Sequence, residues 1–173
     1  MTASSLFNEV VTCKVCKSPM HESTETREFR PWKKRVTVSL LVMICDHCGA
    51  QRATATQHAT NLERLAGRRP AYAGMPMGED YVKFRLRYGL TQKAACALFG
   101  LGRVSFSRYE NEASYPATAA RHLLRLAMRH TYVVAALAEM CGGTVPLLKE
   151  RQEDEAHALA VYEKRKKSLP AAA

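Results

Sequence analysis

The 173-residue sequence lacks any long apolar run. Its longest, around Tyr132–Ala138, is far shorter than the roughly 20 residues that a membrane-spanning helix needs. The N-terminus also lacks the basic-then-apolar layout of a secretion signal. We therefore expect a cytoplasmic protein. Because thiols stay reduced there, the six cysteines are better explained as metal ligands or core residues than as disulfides.

Patterns typical of zinc enzymes are missing as well. The sequence contains no HExxH motif and no constellation of paired carboxylates. A catalytic zinc ion keeps one coordination position open and usually takes histidine and carboxylate ligands. We therefore expect that the protein is not an enzyme.

Acidic residues are outnumbered, since 26 Lys and Arg stand against 16 Asp and Glu, for a net charge of +10. The basic excess is +3 over residues 1–60, +6 over 61–141 and +1 over 142–173. A basic surface attracts phosphates and releases counterions, so a polyanionic partner is expected. The middle of the chain is where that partner should bind.

Two CxxC pairs stand out among the cysteines. Cys13 and Cys16 form the first pair, and Cys45 and Cys48 form the second. Two such turns supply the four thiolates of a closed tetrahedral zinc site, so we expect structural Zn²⁺. His47 lies between two ligands and could replace one; a solvated side chain or a hydrogen bond to a thiolate is the alternative. A redox CxxC would need only one pair, near a βαβ pattern that is absent.

A strand is predicted between the two pairs, because apolar residues alternate over Val36–Ile44 and lead into Cys45. Basic residues surround Phe29, Pro31 and Trp32. They suit a partner-binding or phosphate-binding edge, or equally a solvated hairpin tip with one aromatic packed inward: Arg27, Arg30, Lys33, Lys34 and Arg35. The unpaired Cys96 and Cys141 are expected in the core.

Composition divides the chain into four parts. They are a zinc-binding four-cysteine module (1–56), a helix and linker (57–77), a helix-turn-helix domain (78–141) and a charged extension (142–173). The helix predicted over 57–69 places Leu62, Leu65 and Ala66 on one side. The extension is either a solvated helix or a flexible tail. The predicted fold class is α+β, a small β module followed by an all-α domain.

Residues 90–112 carry the most informative pattern. Two short helical patterns flank the turn Gly100-Leu101-Gly102. Thr91 suits the N-cap of the first helix, Gly102 suits the cap of the second, and Phe106 and Tyr109 anchor the second helix to the core. Such a pair indicates a helix-turn-helix, in which one helix braces and the other enters the DNA major groove. Pro116 is expected in the first turn of the next helix.

This stretch resembles the lambda-repressor-like (Xre) helix-turn-helix family without a gap from Leu90 to Asn111. The resemblance implies that three residues of the second helix contact base edges: Arg103, Val104 and Arg108. Both arginines project away from the anchoring aromatics, and arginine grips guanine with two hydrogen bonds. A phosphate contact or a solvated charge is the alternative for each arginine. Val104 packs on a thymine methyl or contacts nothing.

Phosphate contacts fix the register of such a helix without reading sequence. The polar residues placed for them are Gln92, Lys93, Ser105 and Ser107.

Together, the zinc module, the short helix and the LTQKxA…FG…FSRYE pattern resemble the MqsA (YgiT-type) antitoxin family. That resemblance covers about residues 11–130. It implies a homodimeric repressor that binds a palindromic operator in double-stranded DNA through its C-terminal domain. It also implies that the zinc domain captures a ribonuclease toxin of a type II toxin–antitoxin pair. Family members often carry asparagine where Val104 stands, so the operator is expected to differ.

A second class of function also fits the sequence. The chain could be a zinc-stabilised protein–protein adaptor whose helix-turn-helix no longer binds DNA, because fold does not fix function. Arg103 and Arg108 argue for DNA instead. A single helix-turn-helix contacts few bases, so a homodimer is expected, with residues 117–141 as its interface.

Overall fold

A three-stranded sheet at the front of the chain is followed by helices only. The structure, a computed structural model, describes residues 11–31 and 34–168. Within them the chain divides into two compact units after Gly74. The strands are β1 (Met20–Phe29), β2 (Val36–Cys45) and β3 (Gln51–Arg52); the α-helices are α1 (Ala55–Ala66), α2 (Gly78–Arg87), α3 (Gln92–Leu98), α4 (Ser105–Glu110), α5 (Thr118–Arg129), α6 (Thr131–Cys141) and α7 (Leu148–Ser168). The predicted α+β class is confirmed.

The sheet is an antiparallel hairpin with a short third strand. β1 pairs with β2 along its whole length, from Met20 opposite Cys45 to Phe29 opposite Val36. β3 pairs only with Met43 and Ile44 of β2. The strand predicted over Val36–Ile44 is confirmed, and it ends at Cys45 as expected.

Helix α1 covers the part of the β2 edge that β3 leaves unpaired. The Asn61 side-chain amide accepts a hydrogen bond from the Leu41 N–H (2.7 Å) and donates one to the Leu41 carbonyl (2.8 Å). Arg64 donates to the Ser39 carbonyl at 2.8 Å. One amide thus satisfies both backbone groups of a strand residue, as a neighbouring strand would. The helix therefore belongs to the first unit.

The buried face of α1 is polar. Its buried residues are Gln57 and Asn61, whereas Leu62 is 54% exposed and Ala66 is exposed. Hydrogen bonding to the strand edge decides which side of this helix faces the sheet. Thr54 caps the helix in a reciprocal box with Gln57, which starts it at Ala55.

At the other end of the hairpin, Phe29 is buried and packs against cations. The Arg68 guanidinium lies 4.4 Å from the ring centroid and that of Arg27 lies 5.0 Å from it. Arg30 and Arg35 both pair with Glu28. The buried Phe29 matches the interpretation of this basic cluster in which one aromatic side chain packs inward. Trp32 and Lys33 lie outside the described residues.

The core of the second unit is aromatic. Tyr81 and Phe84 of α2 and Tyr88, which caps its end, pack with Phe106 and Tyr109 of α4, and all five are buried. The 3.6-residue period of the sequence predicts Leu86 on the core side of α2, but its side chain is 60% exposed. The spacing of the tyrosines and Phe84 sets the buried face, which rotates Leu86 towards solvent.

The helix caps predicted for the second unit are confirmed only in part. Thr91 caps α3 by accepting from the Ala94 N–H at 3.1 Å, as predicted. The N-cap of α4 is Val104 rather than Gly102. Pro116 precedes the N-cap of α5, Ala117, instead of lying in its first turn. Gly142 ends α6 in the left-handed conformation, at φ +60°.

The segment after Gly142 is anchored to the second unit. Val145 is 8% exposed within its core, and the Leu147 N–H donates to the Tyr88 carbonyl at 3.2 Å. Of the two alternatives for the charged extension, the structure forms a helix, α7. Across residues 11–31 and 34–168, none of the helices is both long enough and apolar enough to span a bilayer.

Asn61→Ala should destabilise the first unit by about 2 kcal/mol, because both backbone groups of Leu41 lose their partner. Urea unfolding of the full chain measures this. Leu62→Ala, one residue along and exposed, is the matched control and should cost less than about 0.5 kcal/mol. A larger cost for Leu62→Ala than for Asn61→Ala would contradict the packing of α1.

Candidate functional site

Four cysteine sulfurs form one cluster in the first unit. The sulfurs of Cys13, Cys16, Cys45 and Cys48 all lie within 4.8 Å of one another. The Cys13–Cys48, Cys16–Cys45 and Cys16–Cys48 separations are 3.6, 3.4 and 3.5 Å. Four sulfurs at about 2.3 Å from a tetrahedral Zn²⁺ would lie about 3.8 Å apart. The geometry fits a single tetrahedral metal ion.

Two tight turns and the hairpin register bring the cysteines together. The first turn is closed by the Cys13 N–H donating to the Ser18 carbonyl, and the second by the Gly49 N–H donating to the Cys45 carbonyl. Gly49 takes the left-handed conformation at φ +69°, which glycine adopts without strain. The pairing of Met20 with Cys45 then places the second turn beside the first. Since Cys45 ends β2, the strand aims its sulfur at the first pair.

Backbone donors in both turns favour ionised sulfur. The N–H groups of Cys16 and Val15 lower the pKa of Cys13, and the hydroxyl and N–H of Ser18 lower the pKa of Cys16 to about 6. The Ala50 N–H also favours the Cys48 thiolate, but the Cys16 and Cys13 sulfurs outweigh it and raise the pKa of Cys48 to about 12. Such close sulfurs cannot all ionise unless a cation lies between them, so the donor set fits a metal.

The remaining cysteines and His47 lie outside this cluster. Cys96 is 2% exposed in the core of the second unit, as expected. Cys141 was also expected in the core, but it is exposed at the end of α6, and its thiol donates to the Leu98 carbonyl at 3.6 Å. A helix end leaves its last residue outside the packed stripe, which explains the error. His47 is exposed, and the metal-binding group contains the cysteines alone.

The second site is the pair α3–α4 with the connecting residues 99–104. Arg103, Val104 and Arg108, the residues predicted to read bases, are all exposed, and Val104 is 62% exposed. Neither Arg103 nor Arg108 forms an ion pair with any described residue. Both guanidinium groups are therefore available to an external anion or base.

The residues predicted to contact phosphates differ in exposure. Lys93 is exposed, whereas Gln92, Ser105 and Ser107 are partly buried. The Gln92 amide nitrogen already donates to a Glu110 carboxylate oxygen at 2.6 Å. Its second amide hydrogen forms no hydrogen bond with a described residue.

Glu110 connects the three helices around this site, a role that the sequence reasoning missed. Its carboxylate accepts from Arg85 of α2 at 2.6 and 3.4 Å and from Gln92 of α3 at 2.6 Å. Its side chain is only 7% exposed, and that of Arg85 is 19% exposed. Arg85 also donates to the Leu90 carbonyl at 3.1 Å. The one available signal was an acidic residue directly after the anchoring Tyr109 in a basic segment.

Apolar and thiol contacts hold α4 from its other end. Phe106 is fully buried and meets Tyr81 edge-on, with ring centroids 6.2 Å apart. The Phe106 N–H donates to the Cys96 sulfur at 3.4 Å, and the Cys96 thiol donates to the Arg103 carbonyl at 3.6 Å. Gly78 starts α2 so close to α4 that a Cβ there would collide with the Glu110 carbonyl. These contacts fix the second helix while its arginines stay exposed.

Glu110→Gln should destabilise the second unit by about 2–3 kcal/mol, because Arg85 loses its charged partner and an amide N–H₂ faces two donors. Thermal or urea unfolding measures the change. The matched control is Glu139→Gln, an exposed residue of α6, which should unfold like the parent. Equal stability of the two variants would show that the Glu110 contacts do not hold α4.

Comparison with known proteins adds one match. A family model described as the antitoxin component of a bacterial toxin–antitoxin system, MqsA, matches residues 11–140. The match includes the four-cysteine cluster and helices α1 to α5, and it ends before α7. No curated protein matches the chain.

Proposed function

Because the chain belongs to the MqsA antitoxin family, we propose that it is a sequence-specific, DNA-binding transcriptional regulator that represses its own operon. As an antitoxin, it pairs with a toxin protein, which the first unit binds. The DNA-binding part rests on the exposure of Arg108 on α4 and of Arg103 in the turn just before α4, a helix that Phe106 and Glu110 hold in place. A rigid helix with free guanidinium groups is what major-groove recognition requires.

DNA recognition by this unit divides between two kinds of contact. Arg108 and Arg103 donate hydrogen bonds to guanine O6 and N7. Val104 packs on a thymine methyl or makes no contact with a base. Lys93, Gln92, Ser105 and Ser107 hold the phosphates on either side of the groove. The basic excess over residues 61–141 supports the same assignment by attracting the duplex.

The functional form is a homodimer on a palindromic operator, with half-sites about 34–36 Å apart. Residues 117–141 form the interface. Large apolar side chains exposed there support this, namely Leu126 (47%), Tyr132 (68%) and Met140 (81%). Leu137 packs against the core of its own unit and contributes less.

The metal is Zn²⁺, and its role is structural. Four thiolates fill a tetrahedral shell and leave no position for a substrate or water, so the proposed function is non-enzymatic. Zn²⁺ supplies charge neutralisation and a rigid cross-link, while the chain provides the Cys13 to Cys48 donors and their N–H partners. The protein works in the cytoplasm, where the thiols stay reduced.

Removing the metal should unfold the first unit and leave the second folded, since among the described residues the core cluster around the cysteines adds only Met20 and Met43 as buried side chains. Cys45→Ser should abolish stoichiometric zinc, as measured by elemental analysis, and should lose the sheet signal in circular dichroism. Cys141→Ser replaces a sulfur atom outside the cluster and should keep both the stoichiometric zinc and the sheet signal. Full zinc content in Cys45→Ser would overturn the four-cysteine site.

Arg108→Ala should lower operator affinity by about 1–3 kcal/mol and relax sequence choice at one base pair per half-site, because a bidentate guanine contact is lost. Mobility-shift assays on the chain's own promoter and on single-base variants of it measure both effects. Lys93→Ala should instead weaken binding to all sequences alike and reduce the salt dependence.

Arg87→Ala is the matched control, since it removes the same charge from α2 and should leave operator choice unchanged. A uniform loss in Arg108→Ala would reassign that residue to the phosphate backbone. If the parent chain showed no salt-sensitive binding to any duplex at low ionic strength, the adaptor function would replace the regulator.

A further inference from the structure

Helix α7 lies beyond the family match and projects from the second unit. Its first turns are anchored, since Leu148 packs on the core and Arg151 and Glu155 are half-buried. After Glu155 every residue with a described side chain is exposed except Val161, which is half-buried. Residues 156–168 thus extend for about 20 Å. A helix of that length is marginal in water unless a face of it is packed.

One face of α7 carries a defined pattern that begins at Glu155, the last anchored residue, and continues along the exposed segment. Glu155, Leu159, Tyr162 and Lys166 follow one another at spacings of four, three and four residues, which places them on one side of the helix. Leu159 is 58% exposed and Tyr162 is 64% exposed. Two large apolar side chains therefore lie between an acid and a base along a single stripe.

Runs of opposite charge lie on either side of the apolar pair of α7. An acidic run, Glu153 to Glu155, precedes the apolar pair, and a basic run that includes Lys164 to Lys166 follows it. The acidic run lies beyond the first turn of α7, whose one acidic residue is Glu150, so the helix macrodipole does not account for its position. The macrodipole does not account either for exposed Leu159 and Tyr162 on the same stripe as Glu155 and Lys166.

We propose that residues 155–166 of α7 pair antiparallel with the same residues of a second copy of the chain. With the two-fold axis between residues 160 and 161, Leu159 faces the partner's Tyr162 and Glu155 faces the partner's Lys166. The axis repeats both contacts, so the apolar pair is covered and two acid–base pairs flank it. A parallel arrangement would instead oppose Lys166 with the partner's Lys166.

This pairing is independent of the proposed DNA binding, and a charge exchange tests it in the full chain. Glu155→Lys and Lys166→Glu should each weaken self-association roughly tenfold at low salt, because two acid–base pairs become like-charge pairs. An equimolar mixture of the two variants restores both pairs and should associate like the parent. Sedimentation equilibrium measures the affinity. Capture of untagged Lys166→Glu chain by tagged Glu155→Lys chain measures the preference for mixed pairs, whatever other interface joins the copies.

The matched controls are Glu153→Lys and Lys164→Glu, which make the same charge changes on roughly the opposite side of the helix. Both should associate like the parent. The proposal fails if mixed pairs form only in the statistical proportion, or if the controls weaken association equally. It also fails if self-association is unchanged while Lys166→Glu lowers the affinity for duplex DNA and Glu155→Lys raises it. That result would mean that the helix binds DNA.

Discussion

The carboxylate of Glu110 is the contact that joins the three helices around the exposed arginines of the second unit. It joins Arg85 of α2 and Gln92 of α3 to the last residue of α4, and it is almost fully shielded from water. A shielded charge is stable only with its partners in place, so the contact permits one arrangement of the three helices. Arg103 and Arg108 remain exposed because other residues, Phe106 and Glu110, make the contacts that anchor α4.

The first unit reaches stability by different means. Its hairpin has few buried apolar side chains, and its two strongest constraints are polar. Asn61 satisfies a strand edge that would otherwise offer free N–H and carbonyl groups, and the four thiolates converge on a space suited to one metal ion. A specific amide contact and a cysteine cluster that fits a metal ion therefore accompany a small apolar core in this sheet.

Local patterns in the sequence predicted what depends on neighbouring residues. The two CxxC pairs, the alternation of β2, the Thr91 cap and the aromatic anchors of α4 all occur where expected. The errors concern the starts of α4 and α5, at Gly102 and Pro116, and the side of an element that is covered, at Leu86 and Cys141. Periodicity identifies an apolar stripe, but the elements that pack against a helix decide whether that stripe is buried.

By itself, the sequence determined the ligand set of the metal site and the order of the helices, because both follow from the spacing of residues close along the chain. Only the tertiary structure decided that Gln57 and Asn61 face the sheet, that Glu110 ties together three helices and that α7 projects with Leu159 and Tyr162 exposed. These features join residues distant in sequence or depend on what covers a surface. Their energies come from pairings and burial that exist only once the chain has folded.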